Sequence, residues 1–172
     1  MVRAMFPGTF DPIHYGHIDI VKRASRLFDE VLVAVYDKPI KSLLFSPEER
    51  IGLVQTAFAA DPKVKVLGYS GLTVKAARKL DVNVIIRGLR VFSDFEFEFR
   101  MALANHRLES DVETMAFITN EEHTFISSTT VREIAMLEGD VSSMVPEHVK
   151  RALNDKIKSM VDRQDTINSL RD

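Results

Sequence analysis

Apolar residues along the chain alternate between two spacings, and the two spacings predict strands and helices in turn. Short, nearly continuous apolar runs are typical of strands buried on both faces, whereas apolar positions three or four residues apart are typical of amphipathic helices. The predicted strands are residues 3–6, 30–36, 64–69, 82–88 and 114–119. The predicted helices are residues 16–28, 46–58, 73–80, 93–108, 127–139 and 146–161.

Several predicted helix ends carry residues that stabilise free backbone groups. Ser46 with Glu49 has the spacing of a capping box, in which each side chain binds the other residue's backbone N–H. Ser93 with Glu96 predicts a second capping box, and Gly139 predicts a helix end. The two capping boxes predict that helices begin at Ser46 and at Ser93.

Five apolar strands that alternate with helices predict the α/β class, with a doubly wound, five-stranded parallel sheet and a C-terminal helix. We expect one domain over residues 1–162 and a polar, frayed tail over residues 163–172, because neither an internal repeat nor a linker interrupts the pattern. Sheets of this class bind ligands beyond the carboxyl ends of their strands, near the point where the strand order reverses.

Composition and charge narrow the class of protein. With 45% apolar and 28% charged residues, the chain of 172 residues has the profile of a globular protein. The net charge of -2 does not favour binding to nucleic acid, and the absence of cysteine excludes disulfides and thiolate chemistry. No signal peptide or membrane-length apolar run is present. We therefore expect a cytoplasmic protein without a nucleic-acid or membrane partner.

The first strand-to-helix connection, "PGTFDPIHYGH" at residues 7–17, is dense in glycine, proline and histidine. Gly8 permits a ligand to approach the backbone, and Gly16 and His17 lie near the first free amides of a predicted helix, where anions bind. Glycine, proline and aspartate also make ordinary turns, so this stretch alone supports a binding turn and a plain turn about equally.

Two more strand ends carry groups that suit phosphate. "RGLR" at residues 87–90 follows the fourth strand, and guanidinium groups pair well with phosphate oxygens. The alternative is that these arginines pair with acids such as Asp94 or Glu96. "FISSTTVR" at residues 125–132 places hydroxyls and amides at a helix start, although a helix cap would explain one of them. Taken singly, Lys41 and Glu98 are ordinary surface residues.

Three segments together resemble a known family. "PGTFDPIHYGHIDIVKRA", "RGLRVFSDFEFE" and "FISSTTVREIA" resemble the bacterial-type phosphopantetheine adenylyltransferases, members of the nucleotidyltransferase superfamily that has a T/HxGH motif. The resemblance implies a Rossmann-like fold and the formation of dephospho-coenzyme A and pyrophosphate from ATP and 4′-phosphopantetheine. It also implies a Mg²⁺ cofactor, held mainly by ATP phosphates and water, and a homohexamer.

The resemblance implies roles for particular residues. It makes His17 the catalytic residue, which stabilises the transition state at the α-phosphate. The implied contacts of the acceptor substrate are Thr9, Lys41, Thr73 and Arg87. The implied contacts of ATP are Thr9, Phe10, His17, Gly88, Leu89, Arg90, Glu98, His123, Thr124, Phe125, Ile126, Ser127, Ser128 and Thr129. No residue is implied as a direct metal ligand.

The chain departs from the family pattern at three places, which keep other functions open. Phe6 replaces a common Tyr, His14 replaces the usual Thr of the motif, and "SSTTVR" replaces the more usual "SSSLVK". Sibling transferases that act on glycerol phosphate or nicotinamide mononucleotide share the HxGH motif and the SST-x-x-R pattern, but they do not account for "RGLR" followed by "DFEFE". A nucleotide-sensing module without turnover is a further alternative. A tRNA synthetase fragment is disfavoured because a KMSKS-like loop is missing.

Overall fold

The computed structural model describes residues 1–38 and 43–169. Its strands are β1 (Arg3–Gly8), β2 (Glu30–Tyr36), β3 (Val64–Tyr69), β4 (Val84–Leu89) and β5 (Glu113–Ile118). Its helices are α1 (Tyr15–Ala24), α2 (Pro47–Ala57), α3 (Thr73–Lys79), α4 (Phe92–Leu108), α5 (Ser128–Met136) and α6 (Glu147–Ser169), with a 3₁₀ turn at Glu121–His123. The predicted alternation of strands and helices is confirmed.

The five strands form one parallel sheet in the order β3-β2-β1-β4-β5. Met5 of β1 lies opposite Leu32 of β2 on one side and Ile85 of β4 on the other. The chain winds outward from β1 to β3 and then returns to the other side of β1, so the strand order reverses between β1 and β4. The predicted doubly wound sheet is confirmed, and this reversal marks the expected ligand crevice.

Alternate residues of the central strands supply two hydrophobic cores. Ala4 and Phe6 of β1 face the larger core, which α1, α2, α5 and α6 complete. Met5 faces the smaller core, to which α3 contributes Val74 and Ala77. Because both faces of the inner strands are covered, these strands read as continuous apolar runs in the sequence.

Helix α4 is covered much less than the other helices. It packs beside β4 and β5, yet none of its residues is buried, and its aromatic side chains are largely exposed. Phe97, for example, is 60% exposed, and Ile118 at the end of the edge strand β5 is 75% exposed. The described chain therefore leaves apolar side chains exposed on more than one side of α4 and at the end of β5.

Three predicted helix ends differ from the structure by more than one residue. Helix α1 ends at Ala24 instead of residue 28, and Leu27 is exposed because the chain turns there. Helix α5 ends at Met136 instead of Gly139, and Glu138 takes a left-handed conformation (φ 59°) just after the helix. Helix α6 continues to Ser169, beyond the predicted end at residue 161. The division into a domain and a tail at residue 162 stays a prediction.

The two predicted capping boxes had different outcomes. At α2, the Ser46 hydroxyl accepts from the Glu49 N–H (3.2 Å) and the Glu49 carboxylate accepts from the Ser46 N–H (2.7 Å), as predicted. At α4, the capping box is wrong, because the helix begins one residue before Ser93 and Glu96 instead pairs with Arg100 one turn later. Spacing alone does not decide between a cap and an ion pair along a helix surface.

Across the described ranges, no helix combines the length and apolar character required to cross a lipid bilayer.

Candidate active site

A cleft of about 310 Å³ opens at the carboxyl edge of the sheet, where β1, β4 and β5 end. The connections that follow these three strands meet there, as expected for parallel strands whose order reverses beside β1. The cleft is lined by Phe6, Pro7, Gly8, Thr9, Phe10, His14, Gly16, His17, Ile20, Arg87, Gly88, Arg90, Asp94, Glu98, Thr119, Ser127, Ser128 and Thr129.

The structure brings most of the predicted site residues together in this cleft. Those that line it are Thr9, Phe10, His17, Arg87, Gly88, Arg90, Glu98, Ser127, Ser128 and Thr129. Those that lie near the same edge without lining it are Thr73, Leu89, His123, Thr124, Phe125 and Ile126. Lys41 falls outside the described residues, so its predicted contact with substrate stays a prediction.

His14 and His17 form a stacked pair at the start of α1. Their ring centroids lie 3.6 Å apart with 22° between the planes. His14 is the N-cap of α1 and His17 is the third residue of the helix, the two positions whose side chains meet in a capping box. The backbone N–H of His14 donates to Nδ1 of His17 over 3.3 Å. Since Nδ1 of neutral His17 is the acceptor, the ring proton resides on Nε2, which makes Nε2 the hydrogen-bond donor.

Both histidines are neutral in the folded chain. Burial, followed by the charges of Arg90 and His123, lowers the pKa of His14 to about 3. Burial is also the largest cause that holds the pKa of His17 well below its ordinary value, followed by His14, Arg90 and Arg87. The positive potential of the cleft therefore comes from its arginines, and His17 contributes a neutral N–H donor.

Arg87 is held by a carboxylate of α4. Its Nε and Nη2 donate to the two carboxylate oxygens of Glu98 (2.7 and 2.5 Å), and its Nη1 donates to the Pro7 carbonyl (3.0 Å). Three of the five guanidinium N–H groups are thus engaged, which leaves two for a phosphate. Glu98, predicted to contact ATP, is therefore also the counter-ion of the arginine predicted to bind the acceptor.

Arg90 is held in a similar way by another acid of the same helix, Asp94. Its Nε and Nη2 donate to Asp94 (3.0 and 3.3 Å), and its Nη1 donates to the Ile126 carbonyl (3.2 Å). The alternative interpretation of the two arginines, pairing with nearby acids, is confirmed for Asp94, whereas Glu96 pairs elsewhere. Both arginines nevertheless line the cleft, so the ion pairs do not withdraw either guanidinium group from it.

The serine-rich connection presents backbone amides more than free hydroxyls. Ser127 caps α5 by accepting from the Thr130 N–H (3.0 Å), and the Ser128 hydroxyl donates to the Pro12 carbonyl (2.9 Å). The first amides of α5, those of Ser128 and Thr129, have no acceptor within the helix and lie beside the cleft. This is the arrangement with which helix N-termini bind anions.

Phe10 is a buried residue whose ring packs against His17. It is 1% exposed, has a positive φ of 49°, and its ring meets the edge of the His17 ring at 5.0 Å between centroids. A Cβ at Gly8 would come within 3.0 Å of the Phe10 ring, which explains why glycine precedes Thr9 here. Phe10 therefore fixes the position of His17, and its ring is not available to a ligand.

The remaining predicted ATP residues flank the cleft. The His123 ring stacks near Tyr15 (6.4 Å between centroids), Phe125 is exposed, and Ile126 is fully buried in the larger core. Ile126 reaches the site through its carbonyl, which accepts from Arg90. Any contact of Ile126 with a nucleotide must therefore be made by its backbone.

Thr73 lies at the start of α3, and its hydroxyl is hydrogen-bonded to the Tyr69 hydroxyl over 3.1 Å. The Tyr69 ring lies 5.2 Å from that of Tyr36 at the end of β2. This pair of tyrosines lies beyond the β2 side of the cleft, so Thr73 is placed next to the crevice and not within it.

Sequence interpretation missed several residues that line the cleft. His14 was noted only as a departure from a pattern, and Asp94 only as an alternative partner, although its spacing of four from Arg90 on a helix was a usable signal. Thr119 at the end of β5 is buried, with a hydroxyl oxygen that has no protein partner among the described residues. Phe6 was noted only because it replaces a common Tyr, and Ile20 gave no signal beyond apolarity.

The described side chains offer little for a directly bound metal ion. No group of three or more His, Asp or Glu side chains with ligating geometry occurs among residues 1–38 and 43–162. The two acids that line the cleft, Asp94 and Glu98, are both paired with arginine. The side chains of the described ranges therefore do not form a carboxylate cage of the kind that Mg²⁺ or Ca²⁺ occupies.

Comparison with known proteins gives consistent matches. The family described as cytidylyltransferase-like matches residues 5–134. A phosphopantetheine adenylyltransferase of Desulfitobacterium hafniense (strain Y51) is 49% identical over 159 residues, which cover 92% of this chain and 98% of the relative. A phosphopantetheine adenylyltransferase of Cupriavidus metallidurans is 51% identical over 157 residues, which cover 91% and 98%.

A solved structure from Vibrio parahaemolyticus, of a proposed nicotinate-nucleotide adenylyltransferase, is similar in fold. Its TM-score is 0.71 at 21% identity, and the match covers 91% of this chain and 95% of that one. At this identity the likeness supports the doubly wound fold and carries no information about substrate.

The buried neutral state of His14 predicts a specific dependence of stability on pH. An unfolded histidine binds a proton near pH 6.5, whereas the folded pKa of His14 is about 3, so the unfolded chain binds more protons between these values. Stability therefore falls as the pH drops below 6.5, by about 1.4 kcal/mol per pH unit for one such group.

We expect His14→Thr to remove this component. Between pH 7 and pH 5, the free energy of unfolding of the unsubstituted chain should fall by about 2 kcal/mol more than that of the variant. Urea unfolding at a series of pH values measures the difference. Equal slopes for the two proteins would contradict the neutral, buried state of His14.

Proposed function

The chain belongs to the phosphopantetheine adenylyltransferases, within the cytidylyltransferase-like family, and on this premise we propose how its cleft performs their reaction. The reaction transfers the adenylyl group of ATP to 4′-phosphopantetheine and releases pyrophosphate. The observation that carries the proposal is the convergence of His17, Arg87, Arg90 and the α5 amides at one edge of the sheet.

The acceptor needs no general base. Its phosphate monoester has a second pKa near 6 and is therefore largely ionised at neutral pH. One of its oxygens forms a bond to the α-phosphorus of ATP, the bond between that phosphorus and the bridging α–β oxygen breaks, and the electron pair leaves with pyrophosphate. The obstacle is repulsion between two anions, together with the charge that develops on the α-phosphate. Positioning and fixed hydrogen-bond donors address both.

His17 is the donor for the α-phosphate. Its proton resides on Nε2 because Nδ1 accepts from the His14 N–H. Stacking against His14 and edge contact with Phe10 fix the ring, so Nε2 loses little freedom when it donates to a phosphate oxygen. A neutral imidazole acts here as a preorganised dipole and keeps its proton throughout the transfer.

The other charged groups divide between the two substrates. We assign Arg87, with Thr9 and Lys41, to the acceptor phosphate, and we assign Arg90 with the amides of Ser128 and Thr129 to the departing pyrophosphate. Arg87 and Arg90 keep N–H groups free beyond their contacts with Glu98 and Asp94. A phosphate can therefore bind before either ion pair has to break.

The Mg²⁺ ion of the reaction would be held by ATP phosphates and water. The described side chains around the cleft support this assignment, because both carboxylates that line it are already paired with arginine. When bound, the ion would neutralise phosphate charge; the steps assigned to His17 and the arginines do not depend on a protein ligand to it.

The substrate is tested by pyrophosphate release from ATP with a panel of acceptors. We expect release with 4′-phosphopantetheine and background release with pantetheine, which lacks the nucleophilic phosphate and serves as the matched control. Glycerol 3-phosphate and nicotinamide mononucleotide should be poor acceptors. Faster turnover with either of these would replace the proposed substrate with that of a sibling transferase, and ATP binding without any turnover would indicate a nucleotide-sensing module.

The role of His17 is tested by His17→Ala. Loss of one preorganised donor to a developing charge commonly lowers kcat by about 100- to 1,000-fold. We expect a loss of that size while the Kd for ATP, measured by calorimetry, changes only a few-fold. His148→Ala removes an imidazole that lies on α6, outside the cleft, and should leave kcat unchanged. A near-normal kcat in His17→Ala would refute the role.

We further propose that the exposed apolar surface of α4 and β5 is the contact between copies of this chain. Its exposed aromatic residues, among them Phe97 and Phe99, and its position at a free sheet edge suit a symmetric assembly better than solvent. The resemblance implies a hexamer.

A cytoplasmic location of the protein stays a prediction.

Light scattering coupled to size-exclusion chromatography tests the assembly. We expect six chain masses for the unsubstituted protein and a smaller species for Phe97→Glu. Leu137→Glu, at an exposed apolar position after α5, should retain the full assembly and serves as the control. A monomer in the unsubstituted protein, or an intact assembly in Phe97→Glu, would contradict this contact.

A further inference from the structure

A buried arginine without a carboxylate partner lies directly behind the cleft. Arg50, in the first turns of α2, is 1% exposed, and among residues 1–38 and 43–162 no acid lies within ion-pair distance of it. Withdrawing a charged guanidinium from water is costly unless its N–H groups are satisfied. Sequence interpretation gave Arg50 no role, since it reads as an ordinary polar position of an amphipathic helix.

The guanidinium group of Arg50 is satisfied by four backbone carbonyls. Its Nη1 donates to the carbonyls of Thr9 and Tyr36, both at 2.7 Å. Its Nε donates to the Phe45 carbonyl (3.3 Å), and its Nη2 to the Asp37 carbonyl (3.5 Å). One side chain thus joins the end of β1, the end of β2 and the residue before the α2 cap.

One of the two shortest of these bonds, from Nη1 of Arg50 to the Thr9 carbonyl, ends at the candidate active site. Thr9 follows β1 directly and lines the cleft, and its carbonyl is held by the same nitrogen that holds the Tyr36 carbonyl at the end of β2. The peptide unit between Thr9 and Phe10 is therefore fixed relative to the sheet. Because the Phe10 ring contacts the His17 ring, the hydrogen bond to the Thr9 carbonyl also helps to fix the position of the His17 imidazole.

A buried carboxylate, that of Asp11, binds the same segment before α2 through its backbone N–H groups. Asp11 is also 1% exposed, and its two oxygens accept the backbone N–H groups of Phe45 and Leu44, both at 2.9 Å. Phe45 therefore has its N–H bound by Asp11 and its carbonyl bound by Arg50. Arg132 of α5 pairs with Asp11 over 3.2 Å, which ties the anion-binding end of α5 to the same turn.

We propose that Arg50 is a positioning residue for the transfer reaction, which places Thr9 and the turn that supports His17 relative to the end of β2. The inference rests on the proposed function, because it assigns Arg50 to the site that binds the acceptor phosphate. A purely structural arginine would stabilise the chain without affecting the two substrates' alignment. The geometry favours positioning, since the shortest bonds converge on Thr9 and on its neighbouring strand end.

Arg50→Lys separates these roles. Lysine keeps the charge, but its three donors sit on one nitrogen and cannot reach carbonyls that a planar fork serves in several directions. Displacement of a reactive group by about 1 Å can cost about 100-fold in rate. We expect kcat/KM for 4′-phosphopantetheine to fall by about 10- to 100-fold.

Val54→Ala is the matched control for lost stability. Val54 lies one turn further along α2, is fully buried and makes no polar contact with the cleft. Each variant is assayed at the same interval below its own Tm, so that equal fractions are folded. We expect Val54→Ala to have a lowered Tm and an unchanged kcat/KM. An equal loss of kcat/KM in both variants would overturn the positioning role.

A double-mutant cycle with Thr9→Ala tests the route of the effect. If Arg50 acts by placing Thr9, Arg50→Lys should cost at least threefold less in kcat/KM when the Thr9 hydroxyl is already absent. Strict additivity would contradict the inference, as would an Arg50→Lys variant within threefold of the unsubstituted protein. A protein that releases no pyrophosphate with any acceptor even when unsubstituted would instead refute the proposed function.

Discussion

Two ion pairs between the sheet edge and α4 define the electrostatics of this molecule. Arg87 is bound by both oxygens of Glu98, and Arg90 is bound by Asp94. All four side chains are partly exposed, and pairs of this kind contribute about 1 kcal/mol or less to stability, so a phosphate with nearly two negative charges can compete for the arginines. The pairs keep the guanidinium groups extended toward the cleft in the absence of substrate.

Neutral histidines complete this arrangement. Burial, together with the charges of Arg87 and Arg90, makes two further positive charges on the histidines costly, and the lowered pKa values of His14 and His17 are the consequence. His17 nevertheless donates from Nε2 because its other nitrogen is bound by the backbone. The cleft thus combines two charged, ion-paired arginines with a buried, uncharged donor, and the contacts of Arg50 and Asp11 hold the turn that precedes that donor.

Much of the fold and of the site could be predicted from local patterns. Apolar runs gave the five strands, and the Ser46–Glu49 spacing gave the start of α2, because both depend on residues close in sequence. The arrangement of three strand-to-helix connections at one edge follows from the parallel topology. The family motifs then indicated which residues of those connections suit phosphate.

What could not be predicted depends on contacts between distant segments. The Ser93–Glu96 spacing indicated a cap, but Glu96 pairs along the helix instead, and Glu98 rather than Glu96 reaches Arg87. Ser127 and Ser128 use their hydroxyls within the protein, so amides remain for a ligand. Arg50 binds carbonyls that are 5 to 41 positions away, a pattern with no signal in the helix that carries it.

The account is tested most directly by the crystal structure of the protein with a non-hydrolysable ATP analogue. It predicts an α-phosphate oxygen at hydrogen-bond distance, about 2.7–3.2 Å, from Nε2 of His17, with the triphosphate extending to the amides of Ser128 and Thr129. A nucleotide bound with its α-phosphate out of reach of His17 would contradict the account. So would a nucleotide bound in the separate groove between α2 and α6, which Leu53 and Ala152 line.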